Sequence, residues 1–230
     1  MLLNKKETLR RFFFVSEEYA MKYTYIIWDF NGTILNDVQV GIDSVNVLLS
    51  KRGIPQIASA DEYRRVFGFP IIEYYKRIGF DFSKECFSDV AVEWVDEYMS
   101  RVKDAYINDG ALEMLTRIKR NGMKNILVSA TEINMLNNQL SMLGISELFD
   151  GVYGLDNIHA QNKIAAAKAW REHAPNAKAL VVGDTDHDFQ TAKAINADCV
   201  LYLGGHQSQE RLSEFGCRLI NSITELGGLL

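Results

Sequence analysis

Two kinds of hydrophobic pattern alternate along the chain, and their order predicts an α/β fold. Tyr23–Trp28 (YTYIIW) is a short apolar run, typical of a strand that is buried on both faces. Asp37–Arg52 then has apolar residues at helical spacing, and Gly53 suits the position after a helix. The runs Asn125–Ser129 and Ala179–Val182 are also followed by helical segments. Strands that alternate with helices in this way predict a parallel sheet with right-handed crossovers.

Residues 54–106 break this alternation, because they contain helical patterns and no good strand. The helices predicted there are Ser59–Phe67, Pro70–Ile78 and Ser83–Lys103. Further strands are predicted at Gly151–Tyr153, Asp198–Tyr202 and Arg218–Ile220, and further helices at Asp109–Asn121, Glu132–Leu143, Asn162–His173, Asp186–Ile195 and after residue 220. We therefore predict a Rossmann-like parallel-sheet core over residues 21–35 and 109–230, with a helical cap inserted at 36–108.

The first twenty residues differ from the rest of the chain. They carry a few basic residues and a short apolar patch, Phe12–Val15, but lack the continuous apolar region and cleavage site of a signal peptide. Met21 leads directly into the first strand. We interpret residues 1–20 as an extension, with Met21 as the working start; the alternative is an N-terminal helix that packs on the domain.

Composition narrows the class of protein. The 230 residues are 47% hydrophobic and 24% charged, which suits a globular chain with a substantial core. The formal net charge of −5 offers no general basic field for nucleic acid or an anionic membrane, so neither is expected as a partner. The three cysteines have no metal-ligand spacing, which indicates reduced thiols and a cytoplasmic location.

Polar residues follow the predicted strands at the points where these strands end. Asp29 follows the first strand, Ser129–Thr131 end the second, Gly183–Asp188 follow the strand at 179–182, and Lys163 begins a helix. In parallel sheets such residues meet at one edge. Carboxylates gathered there require a cation, and oxygen ligands favour Mg²⁺. A hydroxyl, a lysine and backbone N–H groups can hold phosphate, and an aspartate can attack it.

These residues form four motifs that resemble those of the haloacid dehalogenase superfamily, in the branch with a helical cap after the first strand. Asp29–Thr33 (DFNGT) is similar to the first motif, D-x-D-G-T, with one departure. Ser129 matches the second motif, Lys163 the third, and Gly183–Asp188 the fourth, G-D-[ST]-x-x-D. The resemblance spans about residues 23–205, and the first and fourth motifs together make it specific.

The resemblance implies a role for each matching residue. Asp29 would be the nucleophile, with Asn31 and Lys163 as the other residues of the catalytic set. The Mg²⁺ ligands would be Asp29, the backbone carbonyl of Asn31 and Asp184, with Asp188 supporting the metal or its waters. The phosphate-binding positions would be Asn31, Gly32, Thr33, Ser129, Ala130 and Lys163. The implied activity is Mg²⁺-dependent hydrolysis of a small phosphorylated metabolite through an aspartyl-phosphate, as in phosphoglycolate phosphatases.

Asn31 departs from the family pattern, in which this position is usually an aspartate that acts as general acid and base. An amide cannot ionise, and such acid–base help is typically worth ~10²–10⁴-fold in rate. We therefore expect slow hydrolysis of alkyl phosphates and better turnover of acyl or aryl phosphates. The main alternative is a catalytically impaired protein that binds a phosphorylated ligand. A phosphomutase, and Schiff-base chemistry at a lysine in the cap stretch 66–72, fit the sequence less well.

Other polar residues have weaker support as site residues. His187 lies inside the fourth motif, but we expect an exposed histidine at a helix start, and Asp186 is also expected to begin that helix. His159 and His206 belong to no motif. The cap cations are expected to lie on solvated helix faces, with one of them a candidate to reach a second anionic group of the substrate; they are Arg64, Arg65, Lys76 and Arg77.

Overall fold

A six-stranded parallel sheet forms the core of the computed structural model, which describes residues 22–156 and 163–230. In chain order, the strands are β1 (Tyr25–Trp28), β2 (Leu35–Asn36), β3 (Tyr106–Ile107), β4 (Lys124–Glu132), β5 (Gly151–Leu155), β6 (Ala179–Gly183), β7 (Asp198–Tyr202) and β8 (Arg218–Ile220). The sheet order is β5-β4-β1-β6-β7-β8, and β2 pairs with β3 in a separate antiparallel ribbon. Strand β1 therefore lies between β4 and β6, which carry the other predicted motifs at their carboxyl ends.

Eight helices of the described residues confirm the predicted alternation, with small shifts of their ends, whereas the helix at Gln209–Ser213 was not predicted. In chain order, the helices are α1 (Val38–Lys51), α2 (Ala60–Val66), α3 (Ile71–Arg77), α4 (Phe87–Arg101), α5 (Ala111–Arg120), α6 (Ile133–Met142), α7 (Lys163–His173), α8 (Asp186–Ala194) and α9 (Gln209–Ser213). Short 3₁₀ segments occupy Val102–Asp104, Ser146–Leu148 and Ile223–Gly228. The largest difference is at α4, which was predicted from Ser83 and begins at Phe87. The predicted helix after residue 220 is the last of these 3₁₀ segments.

Strand β1 shows why this apolar run forms a central strand. Its side chains alternate between the two faces of the sheet, and helices cover both faces. Ile26 and Trp28 belong to one hydrophobic cluster, whereas Ile27 belongs to another that contains Val181 and Trp170. All three β1 side chains are buried. Their burial fixes the position of the residue that follows Trp28, which is Asp29.

Helices α1 to α4 enclose a hydrophobic cluster of their own. Its members include Val45, Leu48, Tyr74, Tyr75 and Val90. These helices are inserted in the chain between β1 and β4, as the helical pattern predicted. The limits of the cap at residues 36 and 108 stay a prediction.

The ribbon of β2 and β3 was missed by sequence analysis, which placed no strand between residues 54 and 106. Leu35 pairs with Ile107 and Asn36 with Tyr106, so the ribbon joins the two chain crossings between the core and the insert. Directly after it, the buried Asn108 side chain donates to the carbonyl oxygens of Gly32, at 3.2 Å, and Thr33, at 2.9 Å. The end of the insert thus holds the loop that follows β1.

Some sequence expectations fall on residues outside the described ranges. They concern the proposed extension at 1–20, Met21 as the working start, His159, and Asn162 as the first residue of a helix. Among the described residues, no helix has the length and apolar composition that crossing a bilayer requires.

Candidate active site

Three aspartates from the first and fourth motifs converge beyond the carboxyl ends of β1 and β6. Trp28 pairs with Val182, and the Asp29 N–H donates to the Val182 carbonyl at 2.9 Å, so the residues after both strands are neighbours. Carboxylate oxygens of Asp29, Asp184 and Asp188 all lie within 4.8 Å of one another, and all three side chains are buried. The predicted convergence of these carboxylates is therefore present in the fold.

Lys163 lies between two of these carboxylates. Its Nζ donates to Asp29 Oδ1 and, at 2.5 Å, to Asp188 Oδ1. Burial opposes the charge of Lys163, but Asp188 and Asp29 keep its pKa above the usual value, so it stays an ammonium ion. We refer to Asp29, Lys163, Asp184 and Asp188 as the carboxylate cluster.

Asp29 and Asp188, the two carboxylates that pair with Lys163, have pKa values shifted in opposite directions. Burial raises the pKa of Asp29 well above its usual value, and the nearby Asp188 and Asp184 add to this shift against the opposing effect of Lys163. Burial also disfavours the charge of Asp188, yet the Lys163 ammonium lowers the pKa of that carboxyl below its usual value. Asp29 is thus the carboxylate whose charge is least compensated by the protein.

Asp188 also caps the helix that carries it. Its Oδ2 accepts from the backbone N–H groups of Asp184, at 3.1 Å, and Thr185, at 3.0 Å, and from the Thr185 hydroxyl at 2.7 Å. Thr185 and Asp188 form a capping box at the start of α8. A side chain at Gly183 would put its Cβ 2.1 Å from the Asp188 carboxyl carbon, so only glycine fits there. The fourth motif therefore encodes both the helix start and the support for Lys163.

Asp184 is oriented by the first motif and by a residue far along the chain. Its Oδ1 accepts from the Thr33 hydroxyl at 2.8 Å, and its Oδ2 accepts from the His206 backbone N–H at 2.7 Å. Gly32 has a φ of +77°, and a Cβ there would lie 2.4 Å from Asp184 Oδ2. The glycine and threonine of the first motif thus let the β1 loop close directly over Asp184.

The second motif continues into a short hydroxyl chain. Ser129 is buried, and its Oγ donates to Thr131 Oγ1 and accepts from the Thr131 backbone N–H, both at 3.1 Å. Thr131 Oγ1 in turn donates to the Asn31 side-chain oxygen at 2.8 Å. Ser129, Ala130 and Thr131 all border the same cavity as Asp29. Thr131 lies beside the predicted site residues and joins the second motif to the first.

Both the nitrogen and the oxygen of the Asn31 side-chain amide are hydrogen-bonded to neighbouring side chains. Its Nδ2 donates to Asp37 Oδ2 at 2.7 Å and to the Tyr98 hydroxyl at 2.9 Å, while its Oδ1 accepts from Thr131. The Tyr98 hydroxyl also donates to Asp37 Oδ2, at 2.7 Å. Because a carboxylate only accepts, the amide nitrogen must face Asp37. The Asn31 side chain therefore links the core to helix α4 of the insert.

Asp37 and His206 form a second buried ion pair that sequence analysis did not find. Asp37 Oδ1 accepts from the Gly32 N–H at 2.8 Å and lies 3.2 Å from His206 Nε2; His206 Nδ1 lies 2.9 Å from the Tyr63 hydroxyl. Burial alone would lower the pKa of His206, but Asp37 raises it to about 9. Burial disfavours the charge of Asp37, but His206, together with hydrogen bonds from Tyr98 and Asn31, lowers the pKa of that carboxyl. His206 is therefore a site residue, although it belongs to no motif.

Asp37 was interpreted only as the start of helix α1. It does occupy the N-cap position, but its side chain makes no capping hydrogen bond and faces the site instead. A carboxylate six residues after Asn31 is the sequence signal that could have identified it.

A cavity of about 180 Å³ lies between the carboxylate cluster and the insert. Asp29, Ser129 and Lys163 border it from the core. From the insert it is bordered mainly by aromatic side chains, which we call the aromatic wall: Phe67, Phe69, Tyr74, Trp94 and Tyr98. The cavity thus has a charged side that can hold phosphate and an apolar side that can hold the remainder of a ligand.

The expectation that His187 is exposed was wrong. The residue is half-buried and borders the cavity. Its ring centre is 4.7 Å from that of Phe69. Burial, reinforced by Lys163, lowers the pKa of His187, so its imidazole is neutral at pH 7. Asp186 begins α8 as expected and also pairs with Arg211 at 2.5 Å.

Among the described residues, none of the cap cations that were candidates for a second anionic group borders the cavity; these are Arg64, Arg65, Lys76 and Arg77. Arg64 donates to the Gly205 carbonyl at 2.8 Å, and Arg77 to the Val66 carbonyl at 2.9 Å. The expectation that one of them reaches the ligand is therefore not supported by the fold.

The charges of the site fit a divalent cation. Four buried carboxylates, Asp29, Asp37, Asp184 and Asp188, face two buried cations, Lys163 and His206. With all of them ionised, two negative charges remain, and a single Mg²⁺ would neutralise them. The oxygen-only set of Asp29, Asp184 and Asp188 is of the kind that Mg²⁺ prefers.

Comparison with known proteins agrees with this geometry. Residues 26–202 match the family model described as haloacid dehalogenase-like hydrolase. A candidate pyrophosphatase, PpaX of Caldanaerobacter subterraneus, is 26% identical over 179 residues, which cover 76% of this chain and 79% of the relative. A phosphoglycolate phosphatase of Caulobacter vibrioides is 22% identical over 203 residues, which cover 85% of each chain.

Solved structures with the same fold include a haloacid dehalogenase-like hydrolase family protein from Streptococcus pneumoniae. The TM-score is 0.78 at 16% sequence identity, and the match covers 90% of this chain and 98% of that one. At this identity the similarity shows the fold alone.

Proposed function

Because the chain belongs to the haloacid dehalogenase-like hydrolases, we propose that it is a Mg²⁺-dependent phosphatase that acts on a small phosphomonoester through an aspartyl-phosphate at Asp29. The observation that carries this proposal is the carboxylate cluster, in which oxygens of Asp29, Asp184 and Asp188 lie within 4.8 Å of one another and the buried Lys163 pairs with Asp29 and Asp188. The names of the two curated relatives support hydrolysis of a phosphate bond as the reaction class.

The residues that would hold Mg²⁺ are Asp29, Asp184 and the backbone carbonyl of Asn31, with Asp188 in a supporting position. When bound, Mg²⁺ would offset the clustered negative charge and polarise the phosphoryl oxygens. Thr33 and the His206 backbone N–H keep Asp184 in one orientation for this purpose. Asp188 is already committed to Lys163 and to the α8 cap, which favours an indirect role.

In the first step an Asp29 oxygen attacks phosphorus, and the bond from phosphorus to the ester oxygen breaks with its electron pair on the leaving group. Lys163 and Ser129 hold the phosphoryl oxygens in this step. In the second step water attacks the phosphorus, which frees the Asp29 carboxylate and inorganic phosphate. The proton that water loses balances the charge of the departed alkoxide or phenoxide. Asn31 can take no part in either proton transfer.

Steady-state hydrolysis of 4-nitrophenyl phosphate and a panel of phosphorylated metabolites tests the proposal. Turnover is expected with Mg²⁺ and not with EDTA, and Asp29→Asn is expected to reduce kcat by at least about 10³-fold, as removal of a covalent nucleophile does elsewhere. Asp43→Asn, at an exposed position of α1, is the matched control and should keep full activity. Equal activity of Asp29→Asn and the parent would contradict the assignment of Asp29.

The alternative is a catalytically impaired protein that binds a phosphorylated ligand. The observation that favours it is the Asn31 amide, which is fully occupied by Asp37, Tyr98 and Thr131 and cannot ionise. Absence of turnover in the parent, together with a large gain in Asn31→Asp, would favour the alternative over the phosphatase.

A further inference from the structure

We propose that the ligand of this site is an aryl phosphate, a phosphate ester of an uncharged aromatic ring. The inference extends the phosphatase proposal by naming the class of substrate, and it rests on that proposal for the position of the phosphate at Asp29 and Lys163. Two independent features of the site carry it: the composition of the cavity on the side of the insert, and the state of Asn31.

The aromatic wall provides ring surfaces on the side of the cavity that faces away from the phosphate position. Trp94 and Tyr98 stack with their centres 4.9 Å apart on α4. Phe67 lies 5.7 Å from Phe69 and 5.2 Å from Tyr74, in edge-to-face contacts. Such surfaces bind aromatic ligand groups through further stacked or edge-to-face contacts. An aliphatic chain that carries charge gains little from them.

Positive charge for a second anionic group is missing from the cavity in the part of the chain that the structure describes. Lys163 is the sole lysine or arginine that borders the cavity, and it is bound to Asp29 and Asp188. His206 also borders it, but Asp37 and Tyr63 occupy both of its ring nitrogens.

Arg211 contacts the backbone of the aromatic wall, and its guanidinium is already paired. Arg211 pairs with Asp186 at 2.5 Å and donates to the Phe67 carbonyl at 3.3 Å. A carboxylate or a second phosphate on the ligand would therefore be desolvated beside Asp37 and Glu132, and no residue of 22–156 or 163–230 offers it a free cation at the cavity, which is costly. This excludes phosphoglycolate-like and pyrophosphate-like ligands from the preferred class.

The size of the cavity suits one ring. An apolar cavity of about 150 Å³ holds a benzene molecule, and this cavity measures about 180 Å³ including its charged side, so it leaves room for no group much larger than one ring. The Tyr74 hydroxyl and His187 Nδ1 are buried without a hydrogen-bond partner among the described residues, and both residues border the cavity.

The amide at position 31 also favours aryl phosphates, for a chemical reason. Its amide donates to Asp37 and Tyr98 and has no proton to give to a leaving oxygen. An ester is then cleaved most easily when its leaving group is stable as an anion. A phenol, with a pKa of about 10, leaves far more readily without protonation than an aliphatic alcohol does. The cavity and the missing acid thus favour one class of ester.

Calorimetry with two stable phosphonates tests the inference in the presence of Mg²⁺. Benzylphosphonate has the shape of phenyl phosphate, and 3-phosphonopropanoate has the shape of phosphoglycolate. Benzylphosphonate is expected to bind at least about 10-fold more tightly, an amount typical of one good aromatic contact. Equal binding, or tighter binding of 3-phosphonopropanoate, would overturn the proposal.

A pair of arginine substitutions on helix α4 sharpens this test. Val95 borders the cavity and is half-buried, whereas Val92 is exposed on the same helix and does not border it. Val95→Arg introduces the missing cation and is expected to shift the binding preference toward 3-phosphonopropanoate by about 10-fold. Val92→Arg should leave the preference unchanged. An equal effect of both substitutions would contradict the assignment of α4 as the ligand-facing wall.

Trp94→Ala provides a check that does not depend on inserting a charge. It should weaken benzylphosphonate binding by about three- to tenfold while the affinity for 3-phosphonopropanoate is retained. Phe82→Ala removes an aromatic side chain that packs inside the insert and does not border the cavity, so it should preserve the preference. Loss of affinity for both phosphonates in Trp94→Ala alone would count against an aromatic contact.

Turnover distinguishes a failure of this inference from a failure of the phosphatase proposal. Phenyl phosphate, 2-phosphoglycolate and inorganic pyrophosphate are compared by kcat/KM with Mg²⁺. Faster turnover of either anionic substrate overturns the aryl assignment and leaves the phosphatase in place. Absence of turnover with all three, with 4-nitrophenyl phosphate and with the metabolite panel overturns the phosphatase, and the phosphonate comparison then decides the ligand class by itself.

Discussion

The two sides of the cavity are built on opposite physical principles. The carboxylate cluster brings together three buried aspartates and one buried lysine, which donates to two of them, and Asp29 and Lys163 are separated by 134 positions in the chain. The aromatic wall is apolar and comes from a continuous stretch of the insert, between Phe67 and Tyr98. In our proposal the first arrangement handles phosphate, which every ligand of the class shares, while the second contacts the part of the ligand that varies.

The largest effect is expected from removing the cation of the carboxylate cluster. Lys163→Met leaves Asp29 and Asp188 buried without their partner, so the free energy of unfolding should fall by about 3–5 kcal/mol at neutral pH. Urea unfolding measures this loss. Lys168→Met, at an exposed position of the same helix, should change stability by less than about 0.5 kcal/mol. If Lys163→Met lowered the free energy of unfolding no more than Lys168→Met does, the stability of the carboxylate cluster would not depend on the Lys163 charge.

The pair of Asp37 and His206 should make stability depend on pH in the absence of Mg²⁺. The pKa of His206 is raised from the usual 6.5 to about 9 in the folded chain, so folding favours the protonated form. Its stabilisation is complete below pH 6.5 and is lost as the pH rises through 9, a loss of roughly 3 kcal/mol.

Urea unfolding between pH 6 and pH 9.5 measures this dependence. His206→Gln should remove the slope, while His173→Gln, at an exposed position of α7, should keep it. A slope that persists in His206→Gln would assign the pH dependence to another group.

A smaller effect is expected where the core meets the insert. Asn31→Asp puts a second carboxylate at the position of an amide that lies 2.7 Å from Asp37 Oδ2, and should cost about 1–3 kcal/mol of stability. The double variant Asn31→Asp/Asp37→Asn removes the repulsion and should recover much of that loss. A double-mutant cycle in urea measures the coupling between the two positions. Additive effects would mean that the two side chains do not interact.

The carboxylate cluster was largely predictable because its residues are encoded locally. Asp29 and Asp184 directly follow strands whose apolar runs are clear in the sequence, and β1 and β6 are neighbours. Asp188 lies in the same motif as Asp184, at the spacing that a capping box requires. The prediction that Lys163 is a site residue depended on the family resemblance, since one lysine at a helix start carries little information.

His206 was not predictable in the same way. It reaches Asp37 across 169 positions through a loop with no motif of its own. The adjacent Gly205 was the available signal, because a Cβ there would lie 2.1 Å from Asp184 Oδ2. One glycine in a loop does not reveal which residue it allows to approach.

For the aromatic wall, the helices were predictable from the sequence but the residues that border the cavity were not. Its helices were predicted correctly, but Phe67 and Trp94, which border the cavity, look no different in sequence from Phe80 and Phe82, which pack inside the insert. Only the way in which the helices pack separates the two groups. The two-residue ribbon of β2 and β3 is likewise too short to produce a recognisable alternation.

The most direct test of the central claim is mass spectrometry of the protein after rapid mixing with 4-nitrophenyl phosphate and Mg²⁺ and quenching in acid. The account predicts a gain of one phosphoryl group on the peptide that contains Asp29, and no gain in Asp29→Asn. Turnover by the parent with the phosphoryl group on another residue, or with no labelled residue at any mixing time, would contradict it.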